Sequence, residues 1–540
     1  MKKKLLISKL ALWAAVYTVN AQTSITESLS EVNLISGTSG STSAQYEIVQ
    51  DYTFPSEVIL EGTTFVASGV TLTINPGTIV RGQPVENQGD IPGSLCVSRG
   101  GQIDAQGTVT NPIIFTTAAD TNRGRWTSGE TFLDSDPADE PLPPFSDFNG
   151  TDTPNAGLWG AVTLLGYAPI NRGPASTGVA GEEFIEGFNL QEERTTYGGI
   201  LPNDSSGILR YVSIRHSGVT IVSGDEQQGL TLGGIGAGTL LENIDIYCSA
   251  DDGIEIFGGT ANLRNVIISY VNDDGFDLDQ GWTGNVQNLF VLASNLTSSD
   301  DLDLITSASV AEWDGEDGPS DGSVDLNDIL TLTGQPFTAP TMYNVTMFAD
   351  GVSPDPAITI DTNFGGNVYN SIFFELEAGD FVVTDNGSGN PEDAGFGFNG
   401  VGDRLANGTF NVNGVSFVGK TGVAQADVGA TSLADGIIAN TTAIAKNSTT
   451  NTYSTGNPFS FGALTSNVYN SQSTTNGINP VPLTGATSNV MPVVGPFFEA
   501  ASYRGAFPQS FTQILYTTGW SALNIRGILV DAANGANILQ

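Results

Sequence analysis

Between residues 241 and 278 the chain states one pattern twice, with every equivalent pair of residues 22 apart. Leu241-Glu242-Asn243-Ile244-Asp245-Ile246 returns as Leu263-Arg264-Asn265-Val266-Ile267-Ile268, and Asp251-Asp252-Gly253-Ile254-Glu255-Ile256 returns as Asp273-Asp274-Gly275-Phe276-Asp277-Leu278. A fixed period in the range of about 20 to 50 residues, with short alternating apolar runs and Gly or Asn corners in each copy, is the signature of a solenoid. A blurred third copy follows as Val286-Gln287-Asn288-Leu289 and then Asp300-Asp301-Leu302-Asp303-Leu304. Asp303 takes the place of Glu255 and Asp277, and the spacing stretches to 26 residues, which predicts a loop inside that coil.

The local alternation decides between helix and strand. Helical repeats would place apolar residues at i, i+3, i+4 and i+7, whereas Ile254/Ile256 and Phe276/Leu278 alternate with Glu255 and Asp277. Strands recurring in one order, one repeat per turn, must lie parallel and stack about 4.8 Å apart. Asn243, Asn265, Asn288, Asn344 and Asn370 each stand just before an apolar run. Stacked at one corner, they form an amide ladder for turn groups that no sheet can reach. The pattern resembles the right-handed parallel β-helix, the coil of the pectate-lyase-like superfamily. The expected fold is therefore all-β: a right-handed parallel β-helix solenoid with long loop insertions, of about 15 to 20 coils.

The chain divides accordingly. Lys2, Lys3 and Lys4 precede an apolar stretch from Leu10 to Val19, and Val19-Asn20-Ala21 supplies small residues for a cut, so residues 1–21 read as a secretory signal peptide. Residues 22–50 are a Ser- and Thr-rich lead-in, 51–525 the coil, and 526–540 a tail. Insertions are expected near 120–156, 167–203 and 305–335; the second carries Glu182, Glu183, Glu186, Glu192 and Glu193. The block from Tyr503 to Trp520 is expected to cover the open end of the solenoid, where an uncovered edge invites aggregation.

Charge narrows the partners. Without Lys2, Lys3, Lys4 and Lys9, 14 basic residues remain against 58 acidic ones, a net charge of −44. Nucleic acid and anionic membrane would be repelled, and no membrane span is expected after signal removal. A composition of 39% hydrophobic residues with 66 glycines fits a tightly turned β protein rather than a disordered acidic chain. Cys96 and Cys248 lie 152 residues apart in different coils; a disulfide is one reading and two separate buried thiols the favoured one.

The strongest chemical feature is the acidic column. Glu255, Asp277 and Asp303 alternate with inward apolar residues and so point outward, with Asp251/Asp273 and Asp252/Asp274/Asp300 forming a second line at the adjacent corner. Like charges in direct register are destabilising, and Ca²⁺ bridging neighbouring carboxylates relieves them. The bland alternative is a solvated acidic face, or raised pKa values without metal. A second Ca²⁺ candidate is the loop 317–328, with Asp317, Asp321, Gly322, Asp325 and Asp328. It resembles a dockerin-like calcium loop, although Pro319 replaces a usual ligand and Asp328 the usual Glu; the alternative is an ordinary acidic insertion.

The phrases Gly229-Leu230-Thr231-Leu232-Gly233-Gly234-Ile235 and Ala250-Asp251-Asp252-Gly253-Ile254-Glu255-Ile256-Phe257-Gly258-Gly259-Thr260 resemble a family of uncharacterised bacterial secreted β-helix proteins. The resemblance spans residues 52 to 525 and implies fold and export, not an activity. The first functional expectation is thus an exported, acidic, calcium-assisted β-helix. It acts non-catalytically at the cell surface, as a monomer, in adhesion or in binding an extracellular glycan or surface protein. The rival is a polysaccharide lyase or glycoside hydrolase working through Glu255, Asp277 and Asp303, with Arg215 (or Arg210 or Arg264) as the cationic base. An enzyme requires these groups side by side; a scaffold does not. His216, the only histidine, reads as a turn or core residue.

Overall fold

In the computed structural model the described residues are 23–24, 32–36, 44–84, 92–118, 120, 156–172, 177–188, 190–222, 225–294, 309–315, 337–350, 357–376, 381–383, 401, 404–405, 408–419, 438–439, 442–447, 452–453, 495–508, 516–525 and 529. The proposed signal peptide and most of the insertions near 120–156 and 305–335 lie outside them.

Successive coils contribute to two stacked sheets, one of 19 strands and one of 11 among the described residues. Pairing between successive coils is parallel in both, from Leu241↔Leu263↔Val286↔Met342 in the larger sheet to Ile254↔Phe276 in the smaller, with antiparallel pairs only at their margins among the described residues. This is a parallel β-helix.

The core follows from the alternation. Leu263, Val266 and Ile268 from the larger sheet meet Ile254, Ile256, Phe276 and Leu278 from the smaller, all fully buried in one cluster that runs the length of the coil. Stacked neighbours bury each other, so each coil relies on the next.

The larger sheet is creased along one column. In early coils the crease is a turn between two strands, Thr71–Ile74 and Ile79–Gly82. Later coils carry a single strand across it, bent by one residue of positive φ (Tyr211, Asn243, Asn265, Asn288 and Asn344), until Asn370, also at positive φ, again separates two strands, Gly366–Tyr369 and Ile372–Leu376. Asn tolerates this left-handed conformation better than other side-chain-bearing residues. The expected ladder forms over three rungs: Asn265 Nδ2 donates to Asn243 Oδ1 at 3.2 Å, and Asn288 Nδ2 to Asn265 Oδ1 at 2.9 Å. Asn344 instead donates to the carbonyl of Tyr503.

Three expectations about the margins change. The lead-in is part of the fold, since Ala44–Ile48 stacks parallel on Thr63–Val66 and pairs antiparallel with Val32–Ser36, which occupies the end of the smaller sheet. The excursion 177–203, expected as a loop insertion, is a packed cover. Its hairpin, Glu182–Phe184 with Thr196–Gly198, brings Ile185, Phe188 and Tyr197 onto Phe65, Cys96, Leu165 and Phe257 of the smaller sheet. Finally, the C-terminal block lies along the flank of the larger sheet, not over the open end. Arg504 donates to Ser416 Oγ, Ala506 N to Thr346 Oγ1, Tyr516 OH to Asn288 O and Ala522 N to Asp245 Oδ2, so the strap crosses many coils. The reason is apolar: Ile267, Phe290, Phe348 and Phe374 face away from the coil interior and are buried with Phe507, Trp520 and Leu523 of the strap.

Cys96 and Cys248 are separate buried thiols, as favoured from their positions. Among the described residues no helix is long and apolar enough to cross a membrane.

Candidate functional site

The acidic column is built by register. Ile254–Gly259 pairs with Phe276–Asp279, placing Ile254 on Phe276, Glu255 on Asp277, Ile256 on Leu278 and Phe257 on Asp279. Inward apolar residues leave the two acids on the opposite face. The Asp-Asp-Gly corner before each strand is held tight by its glycine. A Cβ on Gly253 would lie 2.3 Å from Ile268 Cγ2, and one on Gly275 2.4 Å from Val291 Cγ1. Consecutive corners then stack, and Asp252 Oδ1 accepts the backbone N–H of Asp274 at 2.8 Å.

Two overlapping groups of carboxylates result. One oxygen each from Asp252, Glu255 and Asp277 lie within 4.8 Å of one another, and so do oxygens from Asp251, Asp252 and Asp273. Asp252 belongs to both.

The column is not the solvated face that the alternation suggests. Glu255 and Asp252 are each 7% exposed and Asp274 8%, while Asp277 is half-buried. The packed cover shields them, with Phe257 of the same strand lying under its Tyr197. Glu255 Oε2, Asp274 Oδ1 and Asp277 Oδ1 are buried with no hydrogen-bond partner.

Burial first, and neighbouring carboxylates second, hold Asp252, Glu255, Asp274 and Asp277 well above the usual carboxylate range. Asp251 is pushed up to about 8 by burial and then by Asp273, Glu226 and Glu186. Burial also raises Glu312, which shares a hydrogen bond with Asp274.

The third rung differs from expectation. Leu278 stacks on Trp313, so the strand after Asp277 is Ala311–Asp314, and Glu312 occupies the alternating outward position. Asp300 and Asp303 lie outside the described residues, as does the loop carrying Asp317, Asp321, Asp325 and Asp328. The Ala311-Glu312-Trp313-Asp314 alternation is the signal that identifies this rung.

The arginines sit elsewhere. Arg210, Arg215 and Arg264 all belong to strands of the larger sheet. Arg210 pairs with Glu242 and Arg264 with Glu499 of the strap. Arg215 is fully buried, its Nε donates to Ser213 Oγ, and its charge acts on the buried Asp245. The structure therefore does not bring Arg215 to Glu255 and Asp277. His216 is buried with positive φ and packs edge-on against Tyr247, a corner residue as expected.

A family model described as a pectate-lyase like beta helix domain matches residues 47–129 and 148–463. The chain belongs to this family. Neither curated proteins nor solved structures gave a significant match. On this pectate-lyase-like coil, the clustered donors Asp251, Asp252, Glu255, Asp273 and Asp277 are all carboxylate oxygens, without His or Cys. Such a set suits a hard cation. Ca²⁺ takes 6–8 oxygens at about 2.3–2.6 Å in flexible geometry, whereas Mg²⁺ demands a near-ideal octahedron and keeps its water. Glu255 Oε2, buried without a hydrogen-bond partner, fits the role of a cation ligand.

Proposed function

We propose that this protein is an exported β-helix scaffold that binds Ca²⁺ and engages an extracellular glycan or surface protein without catalysis. The observation that carries the reading is Glu255: a nearly buried carboxylate with one oxygen unpartnered, facing oxygens of Asp252 and Asp277. Burying such a group charged is unfavourable unless something compensates it, and a calcium ion held by Asp252, Glu255 and Asp277 does so. Asp251 and Asp273 extend the site toward solvent. The position of Arg210, Arg215 and Arg264 on the other sheet supports a binding role over a lyase, whose proton abstraction needs a base beside the metal.

A hydrolase is the second reading, and one observation favours it. Asp251, with its pKa near 8, stays protonated around neutral pH, as a general acid must. The test is calcium titration by calorimetry together with a panel of acidic and neutral polysaccharides assayed for unsaturated products and new reducing ends. Calcium binding without products supports the scaffold. Product formation that Asp251→Asn abolishes establishes the enzyme instead, and no calcium uptake removes the metal.

A further inference from the structure

The cover brings its own carboxylate to the site. Glu186 lies between Ile185 and Phe188, whose side chains seat the cover on the smaller sheet. A chain of hydrogen bonds fixes where it stands. Thr231 stacks directly on Glu255 in the parallel sheet. Thr231 Oγ1 donates to Gln228 Oε1 at 2.6 Å, and Gln228 Nε2 donates to Glu186 Oε1 at 2.7 Å. The backbones also close up here: Gln227 Nε2 donates to the carbonyl of Gly187, and a Cβ on Gly187 would lie 2.3 Å from Glu226 O. Glu186 is thereby carried one rung above Glu255, and its charge acts on both Glu255 and Asp251.

This placement runs against charge. Apolar contacts and the Arg99 pairs with Glu182 and Glu193 draw the cover down. The charge of Glu186 then acts on Asp251 and Glu255, and Glu255 has a buried and unpartnered oxygen. The charges acting most strongly on Glu255 are Asp252, Glu186, Asp279 and Asp251, carboxylates all. Something positive between the cover and the sheet reconciles the two.

We propose that Glu186 is a further ligand of the Asp252–Glu255–Asp277 cation site, so that calcium binding and docking of residues 177–203 onto the coil are a single coupled event. The proposal rests on the calcium reading above and adds a clamp to it. An ion held only by the coil would leave the cover indifferent to calcium. An ion shared with Glu186 makes each stabilise the other, by the same factor in both directions.

The experiment uses the full chain, with calcium chloride alone as the probe. Backbone hydrogen exchange across residues 182–198 is followed with calcium and with EDTA, and calcium affinity is measured by calorimetry for wild type, Glu186→Gln and Phe188→Ala. In wild type, calcium is expected to slow exchange in 182–198 at least tenfold. Glu186→Gln is expected to weaken calcium binding on the order of tenfold or more and to abolish that calcium-dependent protection, while exchange in the strands 262–269 and 285–294 is unchanged. Phe188→Ala, which removes an apolar anchor of the cover packed on Phe65, is expected to lower calcium affinity through coupling alone. Should Glu186→Gln fail to fold, the wild-type exchange comparison decides. Calcium binding that leaves 182–198 unprotected, or that Glu186→Gln does not weaken, overturns the clamp and leaves the calcium reading standing. Absence of calcium binding to wild type overturns both.

Discussion

Glu255 and Asp277 stand directly opposite each other on adjacent parallel strands, on the face of the sheet turned away from the core. Strands in such a sheet are about 4.8 Å apart. At that separation two full charges repel by about 3 kcal/mol for an effective dielectric constant of about 20. The stack is thus a liability unless protons or a cation neutralise it.

This gives a prediction that changes sign with metal. Asp277→Asn removes one acid of the pair, and with it the cost of either ionising both or holding one protonated, so in EDTA the variant should melt higher than wild type. In calcium the order should reverse, because wild type alone gains the binding energy, about 2.7 kcal/mol at a calcium concentration 100 times Kd. Melting curves in the two buffers check it. A variant that melts lower by the same amount in both would show a plain packing defect and no metal site.

The metal-free protein should also respond to pH in one direction. Burial and neighbouring acids raise Asp251 from 3.8 to about 8 and lift Asp252, Glu255, Asp274 and Asp277 well above their usual range. The folded state therefore binds more protons than the unfolded chain between about pH 4 and pH 8. The contribution of these groups to stability is fully present below their unfolded pKa and is lost as pH rises through the folded values. In EDTA, the melting temperature should fall from about pH 5 to pH 8. Calcium should flatten that slope and release protons on binding, seen as a dependence of the calorimetric heat on buffer ionisation enthalpy. A slope unaffected by calcium would disconnect the titration from the ion.

How much of this was legible depends on periodicity. The 22-residue period fixed Glu255 on Asp277 and Asn265 on Asn243 because stacking repeats what the chain repeats. It failed at the third rung, where Asp300-Asp301-Leu302-Asp303 imitates the motif but Ala311–Asp314 occupies the sheet. Nothing periodic marks Glu186 or Glu226, which arrive from an excursion and a hairpin, so burial of the column was not readable from alternation. The strap did leave a trace: Val266-Ile267-Ile268 and Leu289-Phe290-Val291-Leu292 are unbroken apolar runs, as expected of strands covered on both faces.

The crease supplies a third prediction. Asn265 holds φ at 58° and is bonded to Asn243 below and Asn288 above. Asn265→Ala loses both bonds and keeps a left-handed backbone with a Cβ, at a cost of about 2–4 kcal/mol. Asn265→Gly loses the bonds but not the conformation, so it should cost less. Denaturation midpoints should rank wild type, then Gly, then Ala. Equal Gly and Ala values would mean that the left-handed backbone contributes nothing.

The strap is anchored by Asp245, and removing that carboxylate should release it. Asp245 is fully buried; its Oδ2 accepts from Ser213 Oγ at 2.6 Å and from the backbone N–H of Ala522 at 3.0 Å, joining segments 277 residues apart. Burial pushes its pKa up, while Arg215, Ser213 and Ala522 oppose the rise. Asp245→Ala leaves the Arg215 charge buried without this counterion, and losing one member of a buried pair typically costs about 3–5 kcal/mol. The loss should be concentrated in the strap, because Trp520 packs edge-on against Tyr211 beside this anchor. Expected consequences are a shift in tryptophan emission and faster proteolysis between residues 508 and 529, with the coil's far-ultraviolet signal retained. Asp245→Asn keeps an acceptor for Ser213 and Ala522 and loses only the charge, so it should fall between wild type and Ala. If Asp245→Ala melts like wild type and its strap stays protease-resistant, apolar contacts such as Phe507 on Phe290 hold the strap by themselves.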